Sequence, residues 1–367
     1  MIAENRENTP GSRQVEILII GQGICGTFLG WRLQEAGISF LILDEQNPHT
    51  ASRTAAGIIN PVTGRRIVKT WMIAELLPFV REAYRQIGQG LDIDCISQKI
   101  LIDFFSAPQM RNAFLSRYEE DRQFLRRPAD ENGWFGYFNY DFGYGEIHPC
   151  YLIDIPLLLK SFRQKCLVAN TLLEERFNLA DLVINEKSIA YKNILAKKII
   201  FCDGVESFQN PFFKNLPFAP NKGEALIIET EKLPADYIYK KSFTLVPVGE
   251  NLYWMGSSFE WNFESDQPTG AFRRKAENAL KEWLKFPYRV LDHMASVRPA
   301  TLERRPFVGF HPAYPQVGIL NGMGTKGCSL APYFAGQLTN YIAGQSPLLP
   351  QADIHRFAKT LNRNLLL

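Results

Sequence analysis

The sequence predicts an α/β protein of about two domains. Three observations carry this. The chain has 367 residues, enough for two cores of ordinary size. Its first sixty residues run apolar strand, glycine turn, helix, apolar strand. Residues 211–292 instead hold several β-like stretches followed by a helical one, the mark of a second unit with its own sheet.

Val15 to Ile20 is an apolar stretch interrupted only by Glu16, as a buried parallel strand is. Gly21-Gln22-Gly23-Ile24-Cys25-Gly26 follows at once. Thr27 to Ala36 has helical spacing, with Cys25, Leu29 and Leu33 on one face and Gly37 where a helix-ending glycine belongs. Phe40 to Leu43 reads as a second strand, ended by Asp44.

This order predicts a dinucleotide site. Gly21 permits the tight turn, Gly23 lets backbone approach a pyrophosphate, and Gly26 lets the helix pack closely on the strand. The N-terminus of the following helix offers free N–H groups and a partial positive charge to the phosphates, with Ile24 and Cys25 of the turn as further binding candidates. Asp44 lies 18 residues after Gly26, placed to accept hydrogen bonds from ribose hydroxyls, with Glu45 a second candidate. The bland alternative is a glycine-rich turn without a ligand. The motif alone serves FAD and NAD alike.

Composition removes several other functions. Hydrophobic residues at 46% and charged residues at 22% indicate an ordered globular chain. With 41 basic against 38 acidic residues, charge gives no argument for nucleic acid or an anionic membrane as the main partner. The six cysteines form no C-x-x-C pair, and the five histidines show no metal-ligand spacing, so no metal is expected. Met1 to Gln14 lacks the apolar core of a signal peptide, and no apolar run is long enough to span a bilayer. A reduced, cytoplasmic setting is the expectation.

Later segments narrow the cofactor. Ser52-Arg53-Thr54-Ala55-Ala56-Gly57-Ile58-Ile59-Asn60-Pro61 is a small-residue loop where an NAD-type domain would continue with a crossover helix and third strand. Ser296-Val297-Arg298-Pro299 precedes an expected strand at Val317 to Leu320, then Asn321-Gly322-Met323-Gly324-Thr325-Lys326-Gly327. A helix is expected to open near Leu330-Ala331-Pro332, with Phe334, Leu338 and Ile342 on its apolar face.

In these residues the chain resembles the D-amino-acid oxidase/glycine oxidase-like FAD-dependent oxidoreductases. Lesser matches are Lys222-Gly223-Glu224, Leu245-Val246-Pro247 followed by Met255-Gly256-Ser257, and Phe201-Cys202-Asp203-Gly204. The resemblance implies a discontinuous Rossmann-like FAD domain at about 1–60, 146–210 and 293–367. It implies an α+β substrate domain, built on an antiparallel sheet, at 61–145 and 211–292. Residues 71–125 read mainly as helices, and Leu172 to Ile199 as a small β meander.

The resemblance also implies roles. Ser52, Arg53, Ala55, Ala56, Gly57 and Ile58 would lie by the flavin, and Cys202, Asp203 and Gly204 by its ADP half. Gly322, Met323, Gly324, Thr325, Lys326 and Gly327 would lie along the flavin edge, where Lys326 could add a catalytic charge or simply face solvent. Arg298 would bind a substrate carboxylate through its planar fork, against the alternative of a structural salt bridge. Trp254 and Phe259 could wall the substrate, though sheet core is the plainer reading for clustered aromatics. Arg65 and Arg66 read as a solvated turn. No cysteine lies between Cys202 and Cys328, so the FAD would be non-covalent.

Three functions follow. The first is oxidation of the C–N bond of a small amino acid or a secondary amine bearing a carboxylate. The second comes from the stretch 50–61, which also looks like the FAD half of the enzyme that removes carboxymethyl from a tRNA wobble uridine's aminomethyl group; tRNA would then be the substrate. The third is a flavin-binding protein without turnover.

Overall fold

The computed structural model describes residues 12–362. Residues 1–11 and 363–367, which include most of the polar N-terminal stretch and the outer ends of the expected FAD domain, lie outside the described residues. The chain forms two compact units. The first comprises Met1–Pro48, Leu159–Pro220 and Pro299–Leu367, the second His49–Leu158 and Asn221–Arg298.

The first unit is built on five parallel strands in the order Leu172–Leu173, Phe40–Leu43, Arg13–Ile20, Ile194–Phe201, Tyr314–Asn321. Leu18 to Ile20 and Phe40 to Leu43 are buried on both faces, which is why they read as unbroken apolar runs. The antiparallel strand Phe307–His311 extends one edge, and the meander Leu182–Ile184 and Ile189–Tyr191 leans on the start of Ile194–Phe201. Helices Ile24–Glu35 and Gly327–Ile342 pack on each other. Gly30 permits a close approach, since a β-carbon there would stand 3.0 Å from the Phe162 ring.

The second unit is a nine-stranded sheet, antiparallel except where Tyr237–Lys240 runs beside Ile96–Phe104. Its order is Arg289–Arg298, Asn221–Glu229, Leu252–Gly256, Thr244–Gly249, Tyr237–Lys240, Ile96–Phe104, Tyr144–Ile153, Ile58–Ile59, with Leu125–Arg126 also on Tyr144–Ile153. One face carries Leu226, Tyr239, Leu245, Tyr253 and Met255, which pack with Phe272, Leu280 and Trp283 of helix Gly270–Trp283. Alternation along the strands puts Asn221, Gly223 and Ala225, with Ser296 and Arg298 opposite them, on the other face.

Three expectations need correcting. Residues 71–125 hold two helices, Ile73–Leu91 and Pro108–Glu120, but the nine-residue strand Ile96–Phe104 runs between them. The helix expected near Leu330 opens at Gly327, three residues earlier. The loop at Ser52 contains the short helix Ala51–Thr54. All six thiols are free and buried. Among the described residues, no helix is long and apolar enough to cross a membrane.

Candidate active site

In the first unit, the carboxyl ends of the parallel strands gather the chemistry-bearing residues, as open α/β sheets do. Gly21 follows the first strand at φ +96°, and a β-carbon there would stand 2.6 Å from Cys202 O. A β-carbon on Gly26 would stand 1.9 Å from Gly21 O, so turn and helix meet backbone to backbone. Gly23 is the N-cap of helix Ile24–Glu35 and has no side chain to offer its first turn.

The segment from the far end of the chain arrives beside it. Gly322 (φ +79°) and Gly324 (φ +54°) turn the backbone into helix Gly327–Ile342, which also has no side-chain cap. A β-carbon on Gly327 would stand 3.4 Å from Ile24 Cγ2. Two helix N-termini, each with partial positive charge, are therefore side by side. Lys326, half-buried, directly precedes the second of them, and Met323 is buried below.

Next to the glycine turn is a cavity of about 250 Å³ lined by Gly21, Asp44, Glu45, Phe177, Asp203 and Asn210, among others. Asp44 Oδ2 accepts from Gln22 N at 2.8 Å, and Oδ1 from Gln46 N at 2.9 Å and Arg163 Nη1 at 2.7 Å. Arg163 is 4% exposed and also donates to Asp44 O, Gln22 Oε1 and Glu174 Oε1. It ties the glycine turn, the acid and the next strand into one network. Nothing in the sequence pattern signals it: Arg163 reads as an ordinary helix residue until the fold sets it behind Asp44. Asp203 accepts hydrogen bonds from Ser207 Oγ and, at 3.4 Å, from Asn321 Nδ2. Burial pushes its carboxyl up to about 7. Burial also lifts the Cys25 thiol to about 12, which makes it a packing group rather than a nucleophile.

In the second unit, Arg298 ends strand Arg289–Arg298 directly opposite Asn221. Its Nη1 donates to Asn221 Oδ1 at 2.6 Å, and Nη1 and Nη2 share Ser258 O at 3.3 Å. The Phe259 ring lies against the guanidinium, 4.8 Å from Cζ to centroid. The guanidinium occupies the space a side chain on Gly223 would need, 1.7 Å from Nη2 to that β-carbon. Among the described residues, no carboxylate stands within 4 Å of it. Three of its five N–H groups are engaged; Nε–H and one Nη2–H, which point the same way, are left. Burial without a counter-charge lowers its pKa to about 10, so it stays a cation.

The supporting shell is backbone. Lys222 and Glu260 exchange N–H···O bonds at 2.9 and 3.0 Å, and Ser258 Oγ accepts from Glu224 N at 2.9 Å, which fixes Ser258 O toward Arg298. Thr54 and Ser296 hydroxyls stand 2.5 Å apart, and Trp254 Nε1 donates to Thr54 O at 3.0 Å, anchoring helix Ala51–Thr54 to the sheet.

Comparison with known proteins decides the family. The family model described as FAD dependent oxidoreductase matches residues 16–341. The chain belongs to that family. Similar solved structures include iminodiacetate oxidase from Chelativorans sp. BNC1, at TM-score 0.75 and 18% identity over 94% of this chain and 98% of that one. Glycine oxidase from Geobacillus kaustophilus gives TM-score 0.75 and 14% identity over 96% and 100%. L-proline dehydrogenase from P. horikoshii gives 0.73 and 16% over 95% and 99%. At such identities the likeness is one of fold.

FAD is the cofactor of this FAD-dependent oxidoreductase, and the residues of the first unit fit it. A glycine-rich turn, two helix N-termini without a side-chain cap and a carboxylate beside a cavity answer the needs of a pyrophosphate and a ribose. Elsewhere the sequence candidates divide. Gly57 sits at φ +81° with its would-be β-carbon 2.0 Å from Ile153 O, so strand packing alone demands glycine there. Ile58 pairs with Leu152, Ala55 is exposed, and Ser52 and Arg53 lie in helix Ala51–Thr54. Cys202 is buried beneath the turn, and Gly204 opens a short 3-10 turn at φ +60°. Thr325 is exposed. Trp254, 9% exposed, is anchored to Thr54, whereas Phe259 is 62% exposed beside Arg298. Arg65 and Arg66 are exposed between the paired strands Val62–Thr63 and Val68–Lys69.

Proposed function

We propose that this oxidoreductase oxidises the C–N bond of a small amino acid, or of a secondary amine bearing a carboxylate. The observation that carries the reading is the open edge of Arg298. A half-buried cation whose partners are all neutral, with two parallel N–H groups left over, is matched to a carboxylate. Bound FAD supplies the acceptor for a hydride leaving the carbon next to nitrogen. The nitrogen loses a proton to solvent, and water then hydrolyses the resulting C=N bond to a carbonyl compound and an amine.

The chain's residues bind and orient; no acid–base pair is required when the amine enters neutral. Arg298 fixes the carboxylate end of the substrate. Gly21, Gly23, Gly26 and Asp44 hold the dinucleotide, and the N–H groups from Gly322 to Gly327, with Lys326, favour negative charge on the reduced cofactor. The FAD is held without a covalent bond.

The test is anaerobic reduction of the bound flavin by a panel of D-, L- and N-methyl amino acids and their decarboxylated amines. Carboxylate-bearing members bleach the flavin, and Arg298→Ala raises their half-saturating concentration by about a hundredfold, the scale of a lost charge-assisted pair. Equal bleaching by the amines, or an unchanged concentration dependence in Arg298→Ala, overturns the reading.

A further inference from the structure

Asn221 is the closest polar neighbour of the Arg298 guanidinium, and its chemical type is informative. It sits directly across the strand pair from Arg298, is 2% exposed, and offers Oδ1 to Nη1 at 2.6 Å. An aspartate has the same shape and would bind this cation more strongly. The remaining partners, Ser258 O and the Phe259 ring, are neutral too. Elsewhere in the same unit such cations are paired: the buried Lys222 with Glu224 at 3.3 Å and the half-buried Lys240 with Asp103 at 2.7 Å. Arg298 is thus treated differently from its neighbours.

We infer that Asn221 is a positioning residue that sets the roll of the Arg298 guanidinium while leaving its charge uncancelled, so that the open Nε–Nη2 edge binds an anionic substrate group. This rests on the reading of Arg298 as the carboxylate anchor. The bond to Nη1, with the shared bond to Ser258 O, occupies the three N–H groups on the far side and leaves the fork on one edge. A carboxylate at position 221 would make an internal ion pair and occupy the charge the substrate needs. The other end of the amide, Nδ2, is buried with no hydrogen-bond partner, so Asn221 is held by its link to Arg298 rather than by a wider network.

The experiment titrates the FAD-loaded protein with acetate, a carboxylate that cannot be oxidised, following the flavin absorbance spectrum, with chloride as the control anion. KM and kcat are measured for the best amino acid of the panel. Asn221→Asp is expected to raise the acetate Kd at least tenfold and KM alongside it, with kcat within about threefold. Asn221→Ala, which leaves the charge but not the alignment, should give a smaller rise of three- to tenfold. If Asn221→Asp fails to fold, the alanine variant decides alone. Acetate binding within twofold of wild type in the variants that fold, while Arg298→Ala has lost it, overturns the inference and leaves the anchor standing. Unchanged acetate binding in Arg298→Ala overturns both.

Discussion

Gly223 and Arg298 share one space: a β-carbon on Gly223 would stand 1.7 Å from Arg298 Nη2 and 2.2 Å from Cζ. The missing side chain is what allows the half-buried guanidinium to lie against its own sheet. Gly223→Ala should therefore displace Arg298 while the flavin stays bound. The expected outcome is at least a tenfold rise in KM for the amino-acid substrate, with the FAD content of the purified protein unchanged. A variant with wild-type KM would show that Arg298 needs no such recess.

Gly26→Ala acts on the other unit. Its β-carbon would meet Gly21 O at 1.9 Å, and neither backbone can move without breaking the turn. Overpacking of this kind costs about 1–3 kcal/mol. The variant should purify with little flavin and a lowered thermal midpoint, read from the ratio of flavin to protein absorbance and from a melting curve.

Arg163 offers a test of the acid that faces the cavity. Removing one member of a buried ion pair costs about 3–5 kcal/mol, because the other charge is left without its partner. Asp44 is that other charge, at 2.7 Å, while Glu174 is half-exposed and can turn to water. Arg163→Met should weaken FAD binding at least tenfold in a fluorescence titration of the apoprotein and lower its stability. Arg163→Lys should recover part of both.

Asp203 gives a pH dependence with a definite sign. Its folded-state carboxyl is raised from about 4 to about 7 by burial. The folded protein therefore holds a proton that the unfolded chain releases between those values, and stability falls as pH rises through that window. Asp203→Asn removes the slope. Thermal midpoints measured from pH 4 to 8 should decline in the wild type and flatten in the variant, which becomes the more stable protein at pH 8.

What could be read from sequence was what is local. The strand, glycine turn, helix and acid from Val15 to Asp44 lie within one supersecondary unit, so spacing alone places them. Strand Ile96–Phe104 escaped because its second half is buried on both faces between two other strands, and an apolar run flanked by helices carries no alternation. Arg298 was legible as a motif residue, but its partner Asn221 lies 77 positions away and meets it only through strand pairing. Arg163 and Asp44 are 119 positions apart and meet only where helix Ile155–Val168 packs behind the end of strand Phe40–Leu43. Phe259 and Trp254 read alike as aromatic strand residues; only the sheet shows one lying open against a cation and the other pinned to Thr54.

The neighbouring starts of helices Ile24–Glu35 and Gly327–Ile342 have a bearing on how the protein is made. Their first residues are separated by roughly 300 positions. At about 5–20 residues per second on the ribosome, the first helix waits roughly 15–60 s for the second. During that wait the apolar face it later gives to Gly327–Ile342 has no mate, so a stalled or prematurely released chain leaves it open to chaperones or to aggregation. Cofactor capture is thereby tied to completion of the chain: synthesis carried out in scarce riboflavin should yield full-length apoprotein, while truncation before Gly327 should yield material that no added FAD can rescue.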